Sequence, residues 1–162
     1  NFAESLQKAL RSLEQGRLGF AVGDDSEFAD LDDEALWRAC ATATPTRLFA
    51  VHEALRRGGG VDEVAAATRI DPWFVHQMHE IVARERELSA VSLASLDRRG
   101  WLRYKQWGFS DAQLSAITGV APAEVTRLRR AAGAHTVFKT VDTCAAEFEA
   151  ATPYHYSTYD DD

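Results

Sequence analysis

The chain contains an internal repeat at an offset of 50 residues, and this repeat restricts its fold more than any other feature. Residues 64–78 read VAAATRIDPWFVHQM and residues 114–128 read LSAITGVAPAEVTRL, so apolar, alanine, threonine and proline positions coincide. Each copy predicts a short helix, a tight turn with a buried apolar residue, Ile70 or Val120, and a second helix that begins at proline. The repeat therefore predicts two related helical lobes.

The segments outside the repeat also carry helix signals. Leu6, Leu10 and Leu13 recur at three- and four-residue spacing, which predicts an amphipathic helix over residues 3–15 that Gly16 ends. Residues that favour a helix start precede the later apolar stripes; these are Asp32, Thr44 with Pro45, Asp62, Asp71 with Pro72, Asp97, Ser110 and Pro122. The longest of these helices is predicted to bury Phe74, Val75, Met78, Ile81, Val82 and Leu88.

The C-terminal part has a different character. Residues 136–141 (TVFKTV) are β-branched and aromatic, which favours extended backbone, and helical periodicity is absent after about residue 151. The sequence as a whole predicts an all-α fold, an irregular helical domain of two lobes with related helix-turn-helix pairs and an extended C-terminal tail.

Charge is unevenly distributed along the chain. The net charge is -7, which argues against a general nucleic-acid binder or a ligand of anionic membranes, because both need a positive field. Residues 24–34 contain seven acids and no base, whereas residues 97–130 contain seven bases and three acids. Such asymmetry either steers one copy towards another or forms ordinary solvated faces.

The two cysteines, Cys40 and Cys144, stand alone in apolar, alanine-rich surroundings. Neither a disulfide framework nor a CxxC metal site is indicated, which fits a reducing cytoplasm. No apolar run has the length of a membrane span, and no signal-peptide pattern occurs at the start. Because the chain starts with Asn1 and ends in three aspartates after an aromatic stretch, we expect a segment of a longer polypeptide.

Candidate metal and catalytic groups are few. His76 and His79 share a helix face with Glu80 and could bind zinc, but no third ligand is evident nearby, so a polar helix face is the favoured interpretation. Cys144 with His135 or His155 could be drawn as a nucleophile and its base, without any oxyanion-hole motif to support it.

Phosphate-binding loops are also missing from the sequence. The glycines of residues 58–60 follow a helix rather than a strand, so they predict a helix stop. We therefore predict no catalytic, cofactor-binding or metal-binding residue in this chain.

The second copy of the repeat suggests an alternative function, DNA binding. Its glycine-containing turn and its helix with Arg127, Arg129 and Arg130 are typical of a DNA-reading helix-turn-helix. The equivalent helix of the first copy has Trp73 and Phe74 instead of a basic face, which favours simple helix packing. A helix-turn-helix DNA-binding module stays the alternative at this stage.

Three aromatic residues form a possible interface. Trp101, Tyr104 and Trp107 are spaced to share one side of a helix, next to Arg103 and Lys105. Aromatic residues mixed with arginine are typical of interface centres.

Four stretches of the chain carry a family resemblance. FAESLQKALRSLE, IDPWFVHQMHEIVARE, GFSDAQLSAITGVAPAEVTRLR and FKTVDTCAAEFEAATPYHYSTYDDD resemble the large subunit of carbamoyl phosphate synthetase. The resemblance covers essentially the whole chain, and the VDTCAAEF and YSTY strings are specific to that subunit. It implies residues 1–23 as the closing helix and linker of one synthetase half, residues 24–134 as the helical oligomerisation domain, and residues 135–162 as the lead into the second half.

The resemblance also implies a function for the parent protein and not for this segment alone. The parent makes carbamoyl phosphate from bicarbonate, glutamine-derived ammonia and two ATP, for arginine and pyrimidine synthesis in the cytoplasm, with ATP and Mg²⁺ or Mn²⁺. The segment itself is expected to be non-catalytic. Its implied partners are other large subunits, the two flanking synthetase halves and, in the parent complex, the glutaminase small subunit, with no nucleic acid or membrane.

Overall fold

The computed structural model describes residues 1–13, 16–20, 27–141 and 152–160. Within these ranges the chain forms eight α-helices, a 3-10 helix and a two-stranded sheet, which confirms the predicted all-α class. The helices are α1 (Phe2–Ser12), α2 (Asp33–Ala41), α3 (Arg47–Arg56), α4 (Val61–Thr68), α5 (Pro72–Ser89), α6 (Arg98–Gln106), α7 (Asp111–Thr118) and α8 (Pro122–Ala131). The 3-10 helix is Leu93–Ser95 and the strands are β1 (Val137–Thr140) and β2 (His155–Thr158). Cys144 and residues 24–26 of the acidic segment lie outside the described ranges.

Most helices begin where the sequence predicts, because a side chain satisfies the free N–H groups of the first turn. Asp32 accepts a hydrogen bond from the Ala35 N–H at 2.8 Å, and Asp97 accepts one from the Gly100 N–H at 2.8 Å. At α7 a reciprocal capping box is present, with Oγ of Ser110 accepting from the N–H of Gln113 and Oε1 of Gln113 accepting from the N–H of Ser110.

Helix α3 is an exception, since it begins at Arg47 and not at Pro45. Pro45 and Thr46 lie in a turn, with the Arg47 N–H donating to the Thr44 carbonyl at 3.2 Å. Arg47 also donates through its guanidinium to the carbonyls of Cys40, at 2.8 Å, and Thr68. These bonds anchor the start of α3 to α2 and α4, and the local sequence around Pro45 does not reveal them.

Helix α5 forms the centre of the core. Five of its six predicted core residues are buried: Val75, Met78, Ile81, Val82 and Leu88. The prediction is wrong for Phe74, whose side chain is 43% exposed. Phe74 lies in the first turn of α5, where its ring contacts those of Phe2 and Trp73 and the rest of it faces solvent. Helices α1, α3, α4 and α7 all contact α5.

The two copies of the repeat have matching structures. Helices α4 and α7 are both eight residues long and begin 50 residues apart, as do α5 and α8. Val64 and Leu114 are fully buried at equivalent positions, and so are Val75 and Val125. The predicted relation between the two helix pairs is therefore present in three dimensions.

The turns of the two copies agree in detail as well. The hydroxyl of Thr68 donates to the Val64 carbonyl at 2.7 Å, and the hydroxyl of Thr118 donates to the Leu114 carbonyl at 2.6 Å. The next residue has left-handed backbone in both copies, with φ of 59° at Arg69 and 72° at Gly119. The apolar turn residues Ile70 and Val120 are half-buried against the core, not fully buried as predicted.

Strands β1 and β2 pair in an antiparallel ribbon, in register from Val137 opposite Thr158 to Thr140 opposite His155. The sequence predicts extended backbone here, but not this pairing. The ribbon is attached to the helical core, because Lys8 of α1 donates to the Ser157 carbonyl at 3.0 Å and Gln106 donates to the Tyr159 carbonyl at 2.9 Å.

Candidate interfaces and buried polar clusters

The predicted aromatic interface on α6 is mostly inside the molecule. Trp101 is 1% exposed and Tyr104 is 5% exposed, so both are core residues and neither forms the exposed patch that helix spacing suggested. Trp107 is half-buried, with the guanidinium carbon of Arg84 5.6 Å from its ring centroid. An interface role for this cluster stays a prediction, and in this fold only Trp107 retains surface that a partner could contact.

The basic helix α8 directs two of its arginines at its own fold. Arg127 forms two hydrogen bonds of 2.7 Å with the carboxylate of Glu124, and Arg129 donates to Asp111 at 3.0 Å and to the Ala134 carbonyl at 2.8 Å. The Arg127 side chain is 62% exposed but its charge is paired with Glu124, whereas the Arg129 side chain is only 12% exposed and is held by Asp111. DNA contacts need arginines whose charge is not already engaged within the protein. The DNA-binding alternative is therefore not supported.

Asp111 is the centre of a polar cluster that joins α6, α7 and α8. Its carboxylate accepts hydrogen bonds of 3.0 Å from Lys105, Thr126 and Arg129. Burial raises the pKa of Asp111, but the hydrogen bonds and charges of Arg129 and Lys105 outweigh it and lower that pKa to about 2. The pKa of Lys105 is lowered, because burial outweighs the attraction of Asp111. The cluster thus holds an ionised carboxylate between two cations.

The Asp111 cluster also holds the end of the ribbon. The ring of Tyr159 lies 5.0 Å from Nζ of Lys105 and 5.8 Å from the guanidinium carbon of Arg129. Cations over an aromatic face are attracted by its negative charge density. The residue that follows β2 is therefore bound to α6 and α8.

A second polar cluster joins α1 to α7. Gln7 and Gln113 are both fully buried, and the amide of Gln113 donates to Oε1 of Gln7 at 2.8 Å. Oε1 of Gln7 also accepts from the Phe20 N–H at 2.9 Å, and Arg11 donates to Oε1 of Gln113 at 3.0 Å and to the Gly108 carbonyl at 2.9 Å. Buried polar groups with partners specify one packing arrangement, so α1 has a fixed position on the core.

Gly108 permits the close approach of α1. Its φ is 85°, and a Cβ atom there would lie 2.8 Å from Cβ of Gln7 and 2.9 Å from Cα of Glu4. Only glycine fits without displacing backbone. Gly108, which follows the end of α6, therefore makes room for α1.

The acidic segment has an internal anchor in its described part. Glu53, 1% exposed, accepts hydrogen bonds from Arg56 at 2.7 Å and from Arg57 at 2.8 Å. Burial raises the pKa of Glu53, yet the two arginines lower it below its ordinary value. Arg57 further donates to the carbonyls of Phe28 and Ala29 at 3.1 and 2.9 Å. It also pairs with Asp33 at 3.1 Å, so this arginine fixes the loop before α2 to the end of α3.

The histidines are not assembled into a metal site. His79 lies 4.0 Å from Glu80, and within the described ranges no group of three or more His, Cys, Asp or Glu side chains is placed to hold a metal ion. His155 contacts the Thr140 hydroxyl at 3.2 Å. The proposed pairing of a histidine with Cys144 lies outside the described residues.

Two groups with titratable side chains are buried in the core, His52, which the sequence analysis did not single out, and Cys40, which it placed in apolar surroundings. His52, 5% exposed, lies 2.8 Å from Oε2 of Glu85, with its ring against Phe20. Burial raises the pKa of Cys40 to about 11, while Arg47 lowers it less, so this thiol stays protonated at neutral pH. Both are core features, and only their positions on apolar helix faces hinted at burial.

A small cavity of about 230 Å³ lies between α1, the α6–α7 turn and Tyr159. Three cations line it, and each is engaged within the fold: Lys8 with Glu4 at 2.8 Å, Arg11 with Gln113, and Lys105 with Asp111.

The exposed aromatic cluster of Phe2, Trp73 and Phe74 was also missed. The ring of Phe2 lies 5.4 Å from each of the other two, and those two are 5.0 Å apart, although 53% of Trp73 and 43% of Phe74 are exposed. The residues are distant in sequence, so no local spacing signals the cluster. It lies where the first turns of α1 and α5 meet.

Comparison with known proteins decides the family. The model of the family described as carbamoyl-phosphate synthetase large chain, oligomerisation domain, matches residues 1–133. The chain belongs to this family. It is 47% identical over 160 residues to the carbamoyl phosphate synthase large chain of Deinococcus radiodurans, 46% over 159 residues to that of Thermus thermophilus, and 39% over 165 residues to that of Archaeoglobus fulgidus. These matches cover 98–99% of this chain and only 14–15% of each relative.

The family match includes α1 as well as the repeat, because it starts at residue 1 and ends after α8. The predicted divisions at residues 23 and 134 stay predictions. Among the described helices, none combines the length and the apolar character that a membrane span requires. Helix packing and buried polar contacts hold the described part of this domain together. A partner would bind at its surface.

Proposed function

We propose that this oligomerisation domain is a non-catalytic connector of the large chain, which holds two synthetase halves in a fixed relation and lets large chains associate. A connector must hold both of its ends on one rigid body. Here α1 and β2 lie on the same core and contact each other, since Lys8 donates to the Ser157 carbonyl at 3.0 Å. Thr158 adds a longer hydrogen bond of 3.4 Å to Glu4. This contact between the first helix and the last strand is the observation that carries the proposal.

The activity of the parent belongs to the same proposal. The resemblance implies an ATP-dependent carbon–nitrogen ligase of the cytoplasm, which makes carbamoyl phosphate from bicarbonate, glutamine-derived ammonia and two ATP with Mg²⁺ or Mn²⁺. Its product feeds arginine and pyrimidine synthesis. A glutaminase small subunit would supply the ammonia. In this arrangement the present domain contributes geometry and no reacting group.

Self-association is the part of the proposal that the isolated chain can test. Exposed apolar residues remain on its surface, among them Leu13 at 52%, Phe138 at 77% and Tyr154 at 73%. Exposed apolar area costs about 25 cal/mol per Å², so pairing of such surfaces is favourable. A two-fold dimer is the expected form, because it is the commonest closed symmetry.

Sedimentation equilibrium over a series from micromolar to hundreds of micromolar protein tests this association. We expect a monomer–dimer equilibrium with a dimer at the highest concentrations. Isothermal titration with ATP and Mg²⁺ on the same samples should give no saturable heat. A strict monomer throughout would remove the association, and micromolar ATP binding would remove the non-catalytic role.

A further inference from the structure

Trp73 and Phe74 are not required by the helix-turn-helix fold. The second copy of the repeat has Ala123 and Glu124 at the equivalent positions of its second helix, with the same proline before them and a buried valine after them. Two copies of one structure thus differ in this surface. The aromatic side chains of the first copy therefore need another explanation than local folding.

The aromatic cluster of Phe2, Trp73 and Phe74 has the chemistry of a contact surface. Large aromatic side chains bury about 150–250 Å² each and supply much of the energy of the interfaces in which they lie. Rings of the cluster already contact one another edge to face at 5.4 and 5.0 Å, which fixes their orientation. A surface ordered in this way can bind a partner with little further loss of side-chain entropy.

The area of the cluster decides between possible occupants. The exposed parts of Trp73 and Phe74 amount to roughly 200 Å², at about 150–250 Å² per aromatic side chain. A stable contact between separate molecules needs about 800 Å² from each partner. The cluster is therefore too small to hold a second copy by itself. A covalently attached domain needs far less area, because tethering gives it an effective concentration in the millimolar range.

We infer that the cluster of Phe2, Trp73 and Phe74 is the docking surface for the remainder of the large chain, covalently joined to this domain. The relatives are large chains of which this domain makes up 14–15%, so a tethered partner of ample size exists in proteins of this family. The cluster includes the first turn of α1, so the docked part would be held against the helix that the buried Gln7 fixes to the core. This inference rests on the connector role proposed above.

Hydroxyl-radical footprinting with mass spectrometry tests the inference on two proteins, the isolated 162-residue chain and the full large chain that carries it. We expect labelling of Trp73 and Phe74 in the isolated chain at every concentration. In the full large chain we expect at least tenfold slower labelling of both residues, also at concentrations where it is monomeric. Equal labelling in the two proteins would overturn the inference.

A second copy as the occupant would give a different result. Labelling of the isolated chain would then fall as its concentration rises, in step with dimerisation by sedimentation, and the inference would be overturned while the association part of the proposed function stood. Conversely, protection in the full large chain together with a strictly monomeric isolated chain supports docking and contradicts the proposed association.

The double variant Trp73→Ala with Phe74→Glu copies the residues of the second repeat and gives an independent measurement. In the isolated chain its urea midpoint should stay close to that of the unsubstituted chain. Because the two substituted rings themselves pack on Phe2, the labelling rate of Phe2 in the isolated variant is the reference. In the full large chain we expect Phe2 of the variant to be labelled at that same rate, because the docked part separates. Labelling of Phe2 that stays at least tenfold slower in the full large chain than in the isolated variant would contradict the inference.

Discussion

The side-chain amide of Gln113 donates a hydrogen bond to Oε1 of Gln7 at 2.8 Å, and both side chains are fully buried. This one bond joins residues that are 106 positions apart in the sequence. Gln113 also caps α7 and accepts from Arg11. Gln113 therefore both caps the start of α7 and links α7 to α1.

The first prediction is that Gln113→Leu lowers the free energy of unfolding by about 2–3 kcal/mol, because the N–H of Ser110 and the guanidinium of Arg11 lose an acceptor and Oε1 of Gln7 keeps only the Phe20 N–H. Urea unfolding followed by circular dichroism measures it. Glu63→Leu is the matched control, since Glu63 holds the same position of the first repeat but is exposed and accepts only a 3.4 Å bond from Gly60. It should cost less than about 1 kcal/mol. Equal losses would mean that the link to α1 contributes nothing.

The second prediction concerns the close approach at Gly108. Gly108→Ala should lower the free energy of unfolding by about 3 kcal/mol, because left-handed backbone and a Cβ atom at 2.8 Å from Gln7 act together. Gly119→Ala is the control, with a similar φ of 72° and no atom within 4 Å of its Cβ position. It should cost about 1 kcal/mol from backbone strain alone. If both variants lose the same amount, α1 does not pack against Gly108 as described.

The third prediction uses the difference between the two turns. Arg69 has a φ of 59°, a left-handed conformation that costs a non-glycine residue about 1–2 kcal/mol, whereas the second copy has Gly119 there. Arg69→Gly should raise the free energy of unfolding by about 0.5 kcal/mol, after the greater entropy of glycine in the unfolded chain is subtracted. Thermal unfolding of this variant beside Arg103→Gly, which lies in the interior of α6 and should be destabilised, checks the sign. A destabilised Arg69→Gly would contradict the left-handed turn.

The fourth prediction is a loss of stability in acid that depends on Asp111. Its pKa of about 2 in the folded state lies below the ordinary value of about 3.9. The folded protein therefore gains stability from this carboxylate above about pH 4, on the order of 2 kcal/mol, and loses it as the pH falls towards 2. Urea titrations at several pH values should show this fall. Asp111→Asn should be less stable at pH 7 and should flatten the fall between pH 4 and 2; an unchanged pH profile would exclude Asp111 as its source.

Local sequence patterns predicted most of the helices because their causes are local. The side chains of Asp32, Asp97 and Ser110 each cap a helix by accepting a hydrogen bond from the backbone N–H three residues later. Gly119 ends α7 in the left-handed conformation that glycine tolerates. The repeat was visible for the same reason, since each copy needs its own threonine, turn residue and proline. Local physics therefore explains where these helices begin and end.

The features that long-range packing determines were missed or misplaced. Helical spacing puts Trp101 and Trp107 near one side of α6, but which residues are buried depends on how other elements, α1 among them, pack on α6. The exposed cluster of Phe2 with Trp73 and the pairing of β1 with β2 likewise join segments that are distant in sequence. No periodicity encodes these contacts, so the candidate surface became visible only in the structure.

The central claim is that the first helix and the final ribbon are held on one rigid core, as a connector requires. Native-state hydrogen exchange of the isolated chain, measured at increasing urea concentrations, tests this claim most directly. We predict that the amides of α1, from Leu6 to Ser12, open with a free energy within about 1 kcal/mol of that of α5, so that they open only in global unfolding. Amides of α1 that exchange several kcal/mol more easily than those of α5, with no dependence on urea, would show a loosely attached end and contradict the connector.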